Sequence, residues 1–171
     1  MTVADRAEDQ VPRHLSVSWQ DPAALAAAAQ RMSGLEFLGA VRDGVLARAP
    51  IQELIGFQLE EVDPGRVVFS AVPAEQHYNP IGVVHGGVAA TLLDSAMGAA
   101  VHSTLALGEG YTTLETKFNL VRPITAATGR IVCEGKVLHR GARVSTAEAR
   151  LTRADGALLA HGTSTCLVMT P

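Results

Sequence analysis

At 171 residues, 47% hydrophobic and 18% charged, the chain has the make-up of one folded domain with a real core, not of a disordered chain or coiled coil. Its formal charge of −3, with Lys and Arg scattered, excludes the basic stripe that general nucleic-acid binding needs, while leaving room for a small anionic ligand. Cys133 and Cys166 lie in apolar alternating segments with neither CxxC nor CxxH spacing, so they read as core residues in a reducing compartment.

Residues 1–20 read as a polar, acidic arm without the basic start and apolar stretch of a secretory leader, which places the chain in the cytoplasm. Asp21 as N-cap and Pro22 at the first helical position predict a helix through "AALAAAAQRM", broken at Ser33-Gly34. "LEFLGAVRDGV" predicts a second short helix, and "PIQELIG" a third from Pro50 to Gly56. Residues 1–49 thus form an arm with accessory helices ahead of a main domain over 50–171.

After Gly56 the period shifts to two. "FQLEEVD" and "RVVFSAV" flank Pro64-Gly65 and predict a hairpin. A turn-rich loop over 73–84 leads into a long helix over 86–107, closed by Gly108-Glu109-Gly110. Strands follow at 112–121, 129–139, 143–153 and 157–169, with Asp155-Gly156 marking a tight hairpin. Residues 88–107 have the length of a membrane span, but Asp94 and His102 lie inside it, and a central acid costs roughly 2.5–3.5 kcal/mol on insertion. The segment therefore reads as a buried helix. A helix apolar nearly all round must be wrapped, and hairpin-forming strands do that as an antiparallel sheet, an α+β architecture.

The chemistry concentrates in "NPIGVVHGGVAATLLDSAMGAA", residues 79–100. A helix beginning at Gly86 presents amide hydrogens without intrahelical acceptors at the positive end of its dipole. Glycine lets a carbonyl approach that backbone closely, and one such donor to a tetrahedral oxyanion is worth roughly 2.7–4 kcal/mol. Asp94, set in an apolar run, needs a partner; the backbone and Thr91 are the local candidates. It follows Gly86 by eight residues, about 12 Å along a helix. One helix cannot bring both groups to the same carbon, whereas two antiparallel helices of a two-fold dimer can.

"NPIGVVHGG" followed by "AATLLDSAMG", with "YTTLETKFNLVRP" on the next strand, resembles the hotdog-fold acyl-CoA thioesterases of the PaaI-like (phenylacetic acid degradation) group over about 50–168. The resemblance implies a sheet wrapped around one long central helix, two sheets joined edge to edge in a homodimer, and two sites at that interface. Pairing of dimers into tetramers stays open. It implies Asp94 as general base or nucleophile and Gly86 as oxyanion donor, with Gly82 and Gly87 shaping the substrate loop. Asn79 holds the thioester or the helix-start loop, and His85 orders the turn or contacts the carbonyl. Thr113 assists the water, with Thr112 its rival. The substrate is an aryl- or medium-chain acyl-CoA, whose phosphates would meet Arg122, Arg140 and Arg143, and no metal or organic cofactor takes part.

Other chemistries lack their parts. There is no GxSxG elbow and no HExxH or paired histidine spacing, and Gly108-x-Gly110 lacks the third glycine of a dinucleotide fingerprint. A non-catalytic acyl-CoA sensor and a hotdog enoyl-CoA hydratase or dehydratase remain as alternatives.

Overall fold

The computed structural model describes residues 11–169; the first ten residues of the expected arm lie outside them. Three short helices come first, α1 (Pro22–Ala29), α2 (Gly34–Arg42) and α3 (Pro50–Ile55), followed by strands β1 (Phe57–Asp63) and β2 (Arg66–Ala71). The central helix α4 (Gly86–His102) leads to β3 (Gly110–Leu120), β4 (Ile131–Arg140), β5 (Val144–Arg153) and β6 (Leu158–Met169).

Local chemistry explains the boundaries. Asp21 Oδ1 accepts the Ala23 N–H at 2.9 Å, and Ser33 and Glu36 form a reciprocal capping box at the start of α2. Pro50 opens α3 and Gly56, at φ 75°, closes it. The Pro64-Gly65 turn joins β1 to β2, with Gly65 at φ 77°.

The strands form one antiparallel sheet in the order β1-β2-β4-β5-β6-β3, and α4 lies against all six. Leu92, Leu93, Ala96, Met97, Ala100 and Val101 of the helix are fully buried, meeting Phe57, Val67, Ile131, Cys133 and Leu151 from the sheet. Gly135 makes the close approach possible, since a Cβ there would fall 2.2 Å from the Ala96 carbonyl oxygen. Both cysteines are free and buried, and burial pushes the Cys133 thiol well above its ordinary value. Phe37, Leu38 and Val41 of α2 join the same core. Gly34 N–H donates to Leu105 O at 3.0 Å, and the Phe37 ring packs on His102 at 5.2 Å.

The central helix is shorter than expected, ending at His102 and not at 107. Ser103 Oγ donates to Ala100 O and Thr104 Oγ1 to Val101 O, so adjacent hydroxyls take the last carbonyls and end the helix. Among the described residues no helix is long and apolar enough to cross a membrane.

Candidate active site

The loop before α4 is built around Asn79. Its side-chain oxygen accepts the N–H groups of Ile81 at 3.1 Å and Val83 at 3.3 Å, and its backbone N–H donates to Val83 O. Gly82 takes φ 81°, the left-handed conformation this tight reversal requires. His85 caps the helix: its Nδ1 accepts the Gly87 N–H at 2.9 Å, which leaves the neutral ring's proton on Nε2. Its backbone N–H donates to the carbonyl of buried His77, tying the cap to the scaffold.

With Gly87 N–H taken by His85 and Val88 N–H by the His85 carbonyl, the Gly86 N–H is left without an acceptor among the described residues. That places one unpaired donor at the positive end of α4. Leu120 lies over it, close enough that a Cβ on Gly86 would stand 2.8 Å from Leu120 Cδ1.

Asp94 is half-buried on the same helix, and the side chain that bonds it is neither of the local candidates, the backbone and Thr91. Thr91 Oγ1 bonds back to Gly87 O at 2.9 Å, as helical threonines do. Asp94 Oδ1 instead accepts from Thr116 Oγ1 at 2.9 Å. Behind this pair, Ser164 Oγ stands 3.4 Å from Thr116 Oγ1 and donates to Glu115 O at 3.0 Å, fixing the strand. Neither Thr116 nor Ser164 is singled out by the sequence motif.

The reason lies in the register of β3. Thr113 pairs with Cys166 and Thr116 with Ser164, with a shift between Thr113 and Glu115. One extra residue in the strand turns Thr116 onto the half-buried face with Tyr111 and Thr113, while Thr112 stays exposed. Thr113 lies on the helix side of the sheet, but the hydrogen bond to Asp94 comes from its neighbour three residues on.

The three arginines do not converge within one chain. Arg122 follows β3, beside the start of α4, with Nη1 donating to Leu158 O at 2.6 Å. Arg140 and Arg143 flank the β4–β5 turn near Met169, at the other end of β3. Arg140 is also committed to Glu109 at 2.9 Å. The Ala106 N–H and, after it, Arg140 hold the Glu109 carboxyl below its ordinary value. Among the described residues no three His, Cys, Asp or Glu side chains group as a metal site.

A terminal amide hydrogen and an oriented carboxylate are the parts that acyl transfer to water needs. The thioesterase superfamily model matches residues 81–160. Acyl-coenzyme A thioesterase 13 of Homo sapiens is 33% identical over 104 residues, which is 60% of this chain and 72% of that protein. The structure of a phenylacetic acid degradation-related protein from Ralstonia eutropha JMP134 superposes with a TM-score of 0.69 at 26% identity, covering 76% of this chain and 98% of that one. A hypothetical thioesterase protein from Streptococcus pneumoniae TIGR4, solved with coenzyme A, shares the fold at a TM-score of 0.61 and 23% identity, over 67% of this chain and 86% of that one. From its helix-start histidine and glycines to its wrapped central helix, the chain belongs to the hotdog-fold acyl-CoA thioesterases of the thioesterase superfamily, in their PaaI-like group, and is a thioester hydrolase.

Proposed function

We propose that the enzyme hydrolyses an aryl- or medium-chain acyl-CoA to the free acid and CoA at a site shared by two copies of the chain. The observation that carries this reading is the pairing of an acceptor-less Gly86 N–H with a Thr116-anchored Asp94, about 12 Å apart along one helix.

The edge strand supplies the means of pairing. β3 has a hydrogen-bonded neighbour on one side only; Leu114, Phe118 and Leu120 on it are 58%, 37% and 55% exposed, and Val121, just past its end, is 45% exposed. A long apolar edge invites another strand. Along β3, Thr116 sits at Asp94 and Leu120 at Gly86. Antiparallel pairing that brings one copy's Gly86 to the other's Asp94 therefore centres near Phe118. The same operation puts Arg122 of one copy at the end where Arg140 and Arg143 of the other lie, where CoA phosphates would be bound. The S. pneumoniae thioesterase solved with coenzyme A supports CoA as the leaving group.

In this site Thr116 engages one Asp94 oxygen and leaves the other for a water. Asp94 accepts the water's proton as the oxygen attacks the thioester carbon, and the oxyanion is met by Gly86 N–H. The C–S bond then breaks, and the CoA thiolate leaves and takes up a proton. Asn79 and His85 hold the loop that aims the donor, and the Gly82 and Gly87 backbones border the substrate. The reaction so drawn needs neither metal nor organic cofactor.

The test is a panel of aryl- and straight-chain acyl-CoAs followed by thiol release. Asp94→Asn is expected to lower kcat by roughly 10²–10⁴-fold with the assembly intact. Unchanged turnover would refute the reading.

A further inference from the structure

Helix α4 is partly open along one stripe, Gly87, Ala90, Thr91, Asp94 and Ser95, and the stripe stops at buried Gly98. Gly98 is one turn past Asp94 on the same face. It is covered by Tyr111, the second residue of β3. A Cβ at Gly98 would fall 2.7 Å from the phenol oxygen and 3.0 Å from Cε2, so glycine and ring are fitted to each other. The ring also packs on His102, at 5.5 Å between centroids, and His102 in turn packs on Phe37. Beyond the ring lies an open cavity of about 470 Å³ lined by His102, Glu109, Tyr111 and Met169. Tyr111 thus separates Asp94 from unused space.

We propose that Tyr111 is a specificity-determining residue that ends the acyl pocket one helical turn, about 6 Å, past Asp94. The enzyme then takes aryl groups and the shorter of the medium chains and turns away the longer ones. The inference rests on the reading of Asp94 as the acid at the reacting carbon. The ring, fitted to the Gly98 notch and packed on His102, stands across the line of the helix stripe, so a chain reaching Gly98 meets a wall. Each methylene moved from water into an apolar pocket is worth about fourfold in kcat/KM, so the chain-length profile reports where the pocket ends.

The experiment compares straight-chain acyl-CoAs from acetyl to dodecanoyl on the wild type, Tyr111→Phe and Tyr111→Ala, with thermal melts to confirm folding. Tyr111→Leu, which keeps an apolar contact at Gly98, serves if the alanine variant unfolds. Opening the wall is expected to raise the decanoyl-to-butyryl ratio of kcat/KM by about tenfold or more, with Tyr111→Phe matching the wild type. A ratio unchanged in the folded alanine or leucine variant overturns the inference, as does a wild type that prefers dodecanoyl. Binding of a non-cleavable decyl-CoA thioether by calorimetry reads the same wall without chemistry and is expected to tighten by a similar factor. Full turnover in Asp94→Asn would sink the catalytic reading and leave this binding result to decide the pocket.

Discussion

Thr116 Oγ1 donates to Asp94 Oδ1 at 2.9 Å, joining the edge strand to the central helix across 22 residues of sequence. This contact fixes which way the carboxylate faces and leaves its second oxygen open. Thr116→Val keeps the shape and deletes the donor. With hydrogen bonds to charged groups worth about 1.5–3 kcal/mol, kcat is expected to fall roughly ten- to a hundredfold with little change in KM. Thr116→Ser restores it. Steady-state kinetics on the two variants checks this, and an unaffected valine variant would remove Thr116 from the site.

Proline fits at position 86 if the exposed tip of Leu120, whose Cδ1 would stand 2.8 Å from the new Cβ, turns aside. The first helical position has no intrahelical use for its N–H, and His85, at φ −60° and ψ 136°, already holds the conformation a following proline demands. Gly86→Pro should therefore melt close to the wild type while kcat drops about 10²–10³-fold through loss of one oxyanion donor. Thermal melts and thiol release measure the two effects separately.

Phe118 would sit beside its own copy at the centre of the paired edges. Like charges directly opposite destabilise strand pairing. Phe118→Glu is expected to yield a monomer in sedimentation experiments, with turnover lost alongside. An active monomer would rule out a shared site.

Burial holds His102 below its ordinary value of 6.5. The unfolded chain therefore binds more protons than the folded one as pH falls below 6.5, so stability is full above that pH and declines as pH falls toward the folded value. The melting temperature should fall from pH 7.5 to 5.5, and His102→Gln should flatten part of that slope. Buried His77, shifted the same way by burial, supplies a further part.

Much of this molecule can be read from its residues, because its signals are local. The Asp21 cap, the break at Ser33-Gly34, the Pro64-Gly65 turn and the glycines after His85 each act within a few positions, and they mark the start of α1, its separation from α2, the first hairpin and the start of α4. What escaped depends on partners far along the chain. Strict alternation from Thr113 puts Glu115, not Thr116, on its face; the bulge that reverses this is set by pairing with β6. The end of α4 is not legible because Ser103 and Thr104 are compatible with a helix until their hydroxyls turn on its carbonyls. Arg140 reads as free for a phosphate because Glu109, 31 residues away, gives no local sign of its claim on it.

The separation of Asp94 from Gly86 along one rod has a consequence for mixtures. If each reaction centre draws its acid from one polypeptide and its amide from another, two dead proteins can rescue each other. Unfolded and refolded together in equal amounts, Asp94→Asn and Gly86→Pro chains would form hybrids in which one centre carries both lesions and the other neither. About a quarter of all centres would be whole, and so would that share of the wild-type rate. A blend as inert as its ingredients would mean that every chain works alone.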